Sequence, residues 1–189
     1  ALPGDAGVDR PGRVRRERRP ADDLAGDPGH ESTFGTMARV PHLDAFCREH
    51  GPRFIGFAGV DPNKGITAVR ELEFAVKELG LRGLNLQCFE HKLAIDDKQM
   101  FPLYAKCVEL DIPVNIHCGM NFSTHTLMEY GRPALLDRVM VAMPELRVCA
   151  APPGFPWVHE LIAVAWRHAN VHIGLVAVRP KYLGVAHSG

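Results

Sequence analysis

Nowhere in the 189 residues does an apolar run approach the roughly 18 side chains of a membrane-crossing helix, which excludes a helical membrane anchor within this sequence. Charge of one sign is not in excess either. With 22 basic and 22 acidic side chains and a pI near 7.3, the chain has no global attraction for polyanions, so a dedicated nucleic-acid binder is not expected. The five cysteines, Cys47, Cys88, Cys107, Cys118 and Cys149, include no CxxC pair. An odd set without that spacing reads as reduced thiols in the cytoplasm rather than as a disulfide framework or a zinc site. The opening ALPGDAG has no initiator Met and no charged-then-apolar leader, and the favoured expectation is an incomplete chain.

What is present divides near residue 37. Residues 1–36 are rich in Pro, Gly, Asp and Arg, with almost no clustered apolar side chains, and are expected to be disordered or non-native. Their one charge run, Arg10, Arg13, Arg15, Arg16, Arg18 and Arg19, is diluted by Asp5, Asp9, Glu17, Asp22 and Asp23 and carries no interleaved aromatic residue. It is read as solvated rather than as an import signal or a polyanion patch. The domain proper is expected over residues 37–189.

From residue 42 the apolar pattern becomes regular. A short helix over 43–50 leads into a buried strand at 53–60 (RFIGFAGV). Ile66, Val69, Leu72, Val76 and Leu79 recur at three- and four-residue spacing, which predicts a helix that stops at Gly80. Further strands are expected at 81–87, 112–117, 146–151 and 171–177. Helices are expected from Asp96 or Asp97 to Leu110, from Pro133 to Met143 and from Pro156 to Ala169. Apolar strands alternating with helices every 25 to 35 residues predict βαβ units, a parallel α/β sheet covered by helices. An open doubly wound sheet for dinucleotides calls for a phosphate turn after its first strand, and GVDPNKG at 59–65 is neither GxGxxG nor a P-loop. A (β/α)8 barrel fits the repeat, but only five units are visible.

In such folds the ligand face is formed by polar residues just past the C-terminal strand ends. These are Asp61; Gln87, Glu90 and His91; His117; Pro152 and Pro153; and Arg179 and Lys181. His117 stands out, because a neutral imidazole ending a nearly apolar strand can point into a barrel mouth and ligate a divalent metal, although a buried, hydrogen-bonded histidine is the competing reading.

The blocks PRFIGFAGVDPNKG, PVNIHCGMNFST, PGFPWVHELIAVAWRHANVHI and AVRPKYLG resemble the amidohydrolase-related family, over about residues 42–189. That family holds metal-dependent hydrolases and non-oxidative decarboxylases of small carboxylated compounds, similar to aminocarboxymuconate semialdehyde decarboxylase, on a distorted (β/α)8 barrel. The resemblance implies a divalent metal, zinc or manganese, and a small-molecule substrate, and it places His117 as the metal ligand of the fifth barrel strand. Other parts of the family pattern are absent. No His-x-His pair occurs anywhere, and the histidine that the family carries on its next strand is replaced by Pro152 and Pro153 before Gly154, Phe155, Pro156 and Trp157. Proline neither ligates a metal nor transfers a proton. The sequence stops about one unit before the family's last barrel-strand aspartate, so the resemblance covers strands three to seven of eight.

No other set of residues completes a site. Asp96 and Asp97 read as helix caps, Ser123 and Ser188 have no recognisable base and no GxSxG block, and His117 and Cys118 point to opposite faces of a strand. Asn170 separates His168 from His172, His91 and His125 read as loop residues, and Phe155, Trp157 and Trp166 read as packing. Two functions follow: a metal-dependent hydrolase or decarboxylase, inactive as this chain because one matched ligand of about four cannot hold an ion, or a catalytically silent barrel fragment that serves binding or assembly. Exposed sheet edges make a homo-oligomer the expected assembly.

Overall fold

The computed structural model describes residues 40–178. Its elements run α1 (Val40–His50), β1 (Ala58–Gly59), α2 (Ile66–Lys77), β2 (Leu84–Leu86), α3 (Cys88–His91), α4 (Phe101–Glu109), β3 (Val114–Ile116), α5 (Leu135–Ala142), β4 (Val148–Ala150), α6 (Val158–Arg167) and β5 (Val171–Ile173). The five strands are all parallel and lie in the order β1-β2-β3-β4-β5. A doubly wound sheet would reverse its order partway. The unbroken order is that of a (β/α)8 barrel, here a partial one.

Alternation along the strands decides what each face does. Ala58, Leu84, Leu86, Val114, Ile116, Val148 and Ala150 are buried and meet Leu72 of α2, Leu103 and Tyr104 of α4, Leu136 and Met140 of α5 and Leu161 of α6 in one core. The alternate positions pair across the sheet as a row, Gly59–Asn85–Asn115–Cys149–His172. That row ranges from half-buried to exposed, and Asn115 Nδ2 donates to Asn85 Oδ1 at 2.7 Å. The helix-covered side is therefore apolar, and the other side is polar.

Several boundaries differ from those the periodicity predicts, and the strands expected at 81–87 and 171–177 shorten to Leu84–Leu86 and Val171–Ile173. The first strand is Ala58–Gly59, with Phe54 and Ile55 exposed, because β1 forms a ladder only opposite Leu84 and Asn85. The helix expected from Asp96 or Asp97 begins at Phe101, with Pro102 in its first turn, where a missing N–H costs nothing. Asp97 instead accepts from the Gln99 N–H in a turn, and Asp96 pairs with Arg138 at 3.0 Å. The last helix begins at Val158 rather than at Pro156 and ends at Arg167, where His168 turns extended. Trp166, expected to pack, is 88% exposed. α3 and the 3-10 turn Met128–Gly131 were not anticipated. Residues 1–36 and the far end from Arg179 lie outside the described residues. No helix among the described residues is long and apolar enough to cross a membrane.

One bond ties α4 to the loop before it: the fully buried Tyr104 donates its hydroxyl to Ile95 O at 2.7 Å. The Ile95 N–H in turn donates to Tyr130 O at 3.2 Å. Tyr104→Phe leaves a buried carbonyl without that donor and is expected to lower unfolding free energy by about 1 to 3 kcal/mol in urea denaturation, with an unchanged m-value. A loss within error would show that water replaces the phenol.

Candidate functional site

The C-terminal ends of the five strands carry the groups named from the sequence, and the fold sorts them. His117 directly follows β3, and its N–H donates to Leu86 O at 2.9 Å. By alternation it shares the polar side with Asn115, while Cys118 is fully buried on the other side. The imidazole meets the Phe89 ring edge-on, with centroids 4.7 Å apart. Its Nδ1 is buried and has no hydrogen-bond partner among the described residues. Behind that nitrogen lies Gly131, where an added Cβ would sit 3.4 Å from Nδ1. Burial pushes the His117 pKa down to about 4, so the ring is neutral at physiological pH, the form that can ligate a metal.

Two tight backbone crossings hold this corner. The Gly119 N–H donates to Gly131 O at 2.7 Å, and the Met120 N–H donates to Phe155 O at 2.6 Å. The loop after β3 is thus pinned both to the Met128–Gly131 turn and to the loop after β4. Next to Gly131, Arg132 clamps Glu160 of α6 through Nε and Nη2, reaches Glu129 through Nη1 and stacks over Trp157 at 5.9 Å. Sequence reasoning missed this clamp, since its two main partners are 28 positions apart. The signal that was available is the Gly-Arg-Pro triplet at 131–133, a glycine marking a close approach beside a planar cation.

Several of the remaining candidates are engaged with other partners. Asp61 caps the 3-10 turn Pro62–Lys64 and lies 3.5 Å from Nδ1 of His91, whose side chain is 8% exposed. Asn63 Nδ2 bridges Asp61 Oδ1 and His91 O. Burial lowers the His91 pKa and the Asp61 carboxylate partly offsets it. His91 thus fastens the end of β2 to the end of β1. Gln87 precedes α3 at its N-terminal end, and Glu90 lies within α3. Ser123 Oγ accepts from the His125 N–H at 3.4 Å, in a loop where His125 is exposed. His168 binds Asp137 at 2.7 Å on the outer helices, and the bond holds the Asp137 carboxyl below the usual carboxylate range. Pro152 and Pro153 follow β4, and the Gly154 N–H donates to Pro152 O at 2.8 Å. Arg179, Lys181 and Ser188 lie outside the described residues.

A divalent ion needs about four donors in a defined geometry. Among the described residues, no three His, Cys, Asp or Glu side chains converge on one point. The donor set of the described residues does not match the metal that the resemblance implies, because no group of three such donors includes His117.

The family described as Amidohydrolase matches residues 3–184. Over 133 residues the chain is 26% identical to 2-amino-3-carboxymuconate-6-semialdehyde decarboxylase of Dictyostelium discoideum, covering 61% of this chain and 37% of that protein. Among solved structures, an uncharacterised TIM-barrel protein from Bordetella bronchiseptica aligns with a TM-score of 0.62 and 26% identity, over 72% of this chain and 48% of that one. The 5-carboxyvanillate decarboxylase of Novosphingobium aromaticivorans, a structure with manganese, aligns with a TM-score of 0.55 and 19% identity, over 70% of this chain and 43% of that one, a likeness of fold alone. The chain spans about half, or less, of the length of these relatives.

Proposed function

This chain belongs to the amidohydrolase family, and from that premise we propose that it contributes one side of a metal-dependent hydrolase or decarboxylase of small carboxylated compounds, with His117 as a metal ligand. The same reading holds that these 189 residues by themselves are catalytically silent. The observation that carries it is the incomplete donor set at His117: a neutral imidazole at a strand end on the polar side of the sheet, with no group of three or more His, Cys, Asp or Glu side chains among the described residues to hold an ion. The similarity to a curated decarboxylase supports the reaction class. The substrate is read as a small carboxylate, and nucleic acid as a partner is disfavoured by the balanced charge. The free thiols Cys47, Cys88, Cys107, Cys118 and Cys149 support a reducing compartment, the cytoplasm.

A second reading, a catalytically silent barrel acting in binding or assembly, is favoured by Pro152, which occupies the position of the family's histidine and can neither ligate nor transfer a proton. Metal content tests silence directly. After dialysis, elemental analysis of the purified chain is expected to find far less than one equivalent of zinc or manganese. A stoichiometric ion that disappears in His117→Ala would overturn the silent reading and would require ligands outside the described residues to converge on His117.

A further inference from the structure

Among the described residues, the last βα unit leaves an apolar surface in solvent. Helical phase sorts the sides of α6. Glu160 and Arg167, seven positions apart, face α5 and the residues just before it, where they bind Arg132 and Asp137. Leu161 and Val164 are buried in the core. The sides turned away from α5 carry Ile162 and Trp166, which are 46% and 88% exposed. Because α5 precedes β4 and α6 precedes β5, those sides look toward the free edge of β5. Just past that strand, Leu175 and Val176 are 55% and 57% exposed.

The backbone of β5 is open along the same edge. The Val148 N–H donates to Asn170 O and the Gly174 N–H donates to Ala150 O, both across the β4–β5 ladder. Alternation in a parallel ladder therefore turns the peptide groups of Asn170, His172 and Gly174 toward β4, and those of Val171 and Ile173 outward. The Val171 N–H is taken by His168 O at 3.0 Å. The Val171 carbonyl and both groups of Ile173 are left without a backbone partner among the described residues. Such an edge is a template for another strand.

Ile162, Trp166, Leu175 and Val176 together leave roughly 450 Å² of apolar surface, more than scattered exposed residues account for. A symmetric pair would bury about 900 Å² from these side chains alone, close to the ~1,000 Å² of a specific interface before the strand edge is added. None of the four is charged, so apposing two copies brings no like charges together. A strand is also its own complement when turned antiparallel about a two-fold axis, which closes the assembly at two. We propose that this chain pairs with a second copy of itself through the β5 edge and the outer side of α6. Ile173 and its counterpart exchange both N–H···O bonds at the axis, and the two α6 helices bury Ile162 and Trp166 against each other. The proposal stands apart from the enzymatic reading, since neither metal nor turnover enters it.

Sedimentation velocity on the full chain at increasing concentration is expected to show a monomer–dimer equilibrium that saturates at the dimer. Trp166→Glu should raise the dissociation constant at least about 30-fold, and Leu175→Glu, on a separate segment, about tenfold. Ile66→Glu should leave it unchanged, because Ile66 is 64% exposed on α2, which joins β1 to β2 at the far end of the sheet. All three side chains are exposed, so circular dichroism should show the variants folded. In hydrogen exchange, the Ile173 amide should be slow in the dimer and fast in Trp166→Glu, which separates strand pairing from a contact of helices alone. A monomer throughout, whether solvent or residues 179–189 cover the face, would overturn the inference. So would growth past the dimer, dissociation by Ile66→Glu instead of Trp166→Glu, or a fast Ile173 amide in the dimer. A dimer that proves inert in every assay would sink the enzymatic reading and leave the interface standing.

Discussion

Gly119→Ala is expected to lower the unfolding free energy by about 3 kcal/mol. Two costs combine. Gly119 has φ 98°, a conformation that L side chains rarely adopt, and its added Cβ would lie 2.7 Å from Phe155 O and 3.0 Å from both Gly154 C and Phe155 N. Those neighbours are backbone atoms, and Phe155 O is already held by the Met120 N–H, so nothing can swing aside. Gly80→Ala separates the two contributions. It has φ 72° with nothing within 4 Å of the added Cβ, and should show only the backbone cost of about 1 to 2 kcal/mol. Urea denaturation of both variants measures the difference. Equal losses would mean that the loops after β3 and β4 do not cross as tightly as described. The position matters for the site, since Gly119 follows His117 by two residues and its N–H binds Gly131, the residue behind Nδ1.

The largest kinetic effect is expected at Pro152, in a hybrid that adds the first and last barrel strands of a related enzyme. Pro152 stands one residue past Ala151, whose N–H donates to Ile116 O on the strand that ends in His117. The family resemblance puts a histidine acid/base there, and proline has neither a titratable group nor a backbone N–H. Restoring it as Pro152→His with Pro153→Gly should raise hydrolysis or decarboxylation by about 100- to 10,000-fold over the same hybrid with the prolines, the usual range for general acid/base help. Circular dichroism and metal content measured on both hybrids establish that the comparison is between folded, equally loaded proteins. Equal rates would place the proton elsewhere, with His91, already buried beside Asp61, the first residue to substitute.

His117 was singled out by its place at the end of an apolar run, and the structure puts it on the polar side of the sheet at that strand's end. Its surroundings were not legible. Phe89, Gly131 and the unpartnered Nδ1 belong to three segments that meet only when α3 and the Met128–Gly131 turn pack together. The same holds for Asp61 with His91, for Asp137 with His168 and for Arg132 with Glu160, pairs 28 to 31 positions apart whose members look like ordinary surface residues in isolation.

By itself, the sequence determined the number and order of strands, their parallel sense, the helix faces that cover them and the strand end that carries His117. Those features follow from apolar periodicity, which each segment carries within a dozen residues. Only the tertiary structure decided where β1 begins, which strand positions form the row from Gly59 to His172, which histidines are engaged by carboxylates, and that no group of three metal donors forms at His117 among the described residues. Those outcomes depend on register and on the approach of distant loops, where close packing and hydrogen-bond satisfaction select among partners that local pattern leaves equivalent.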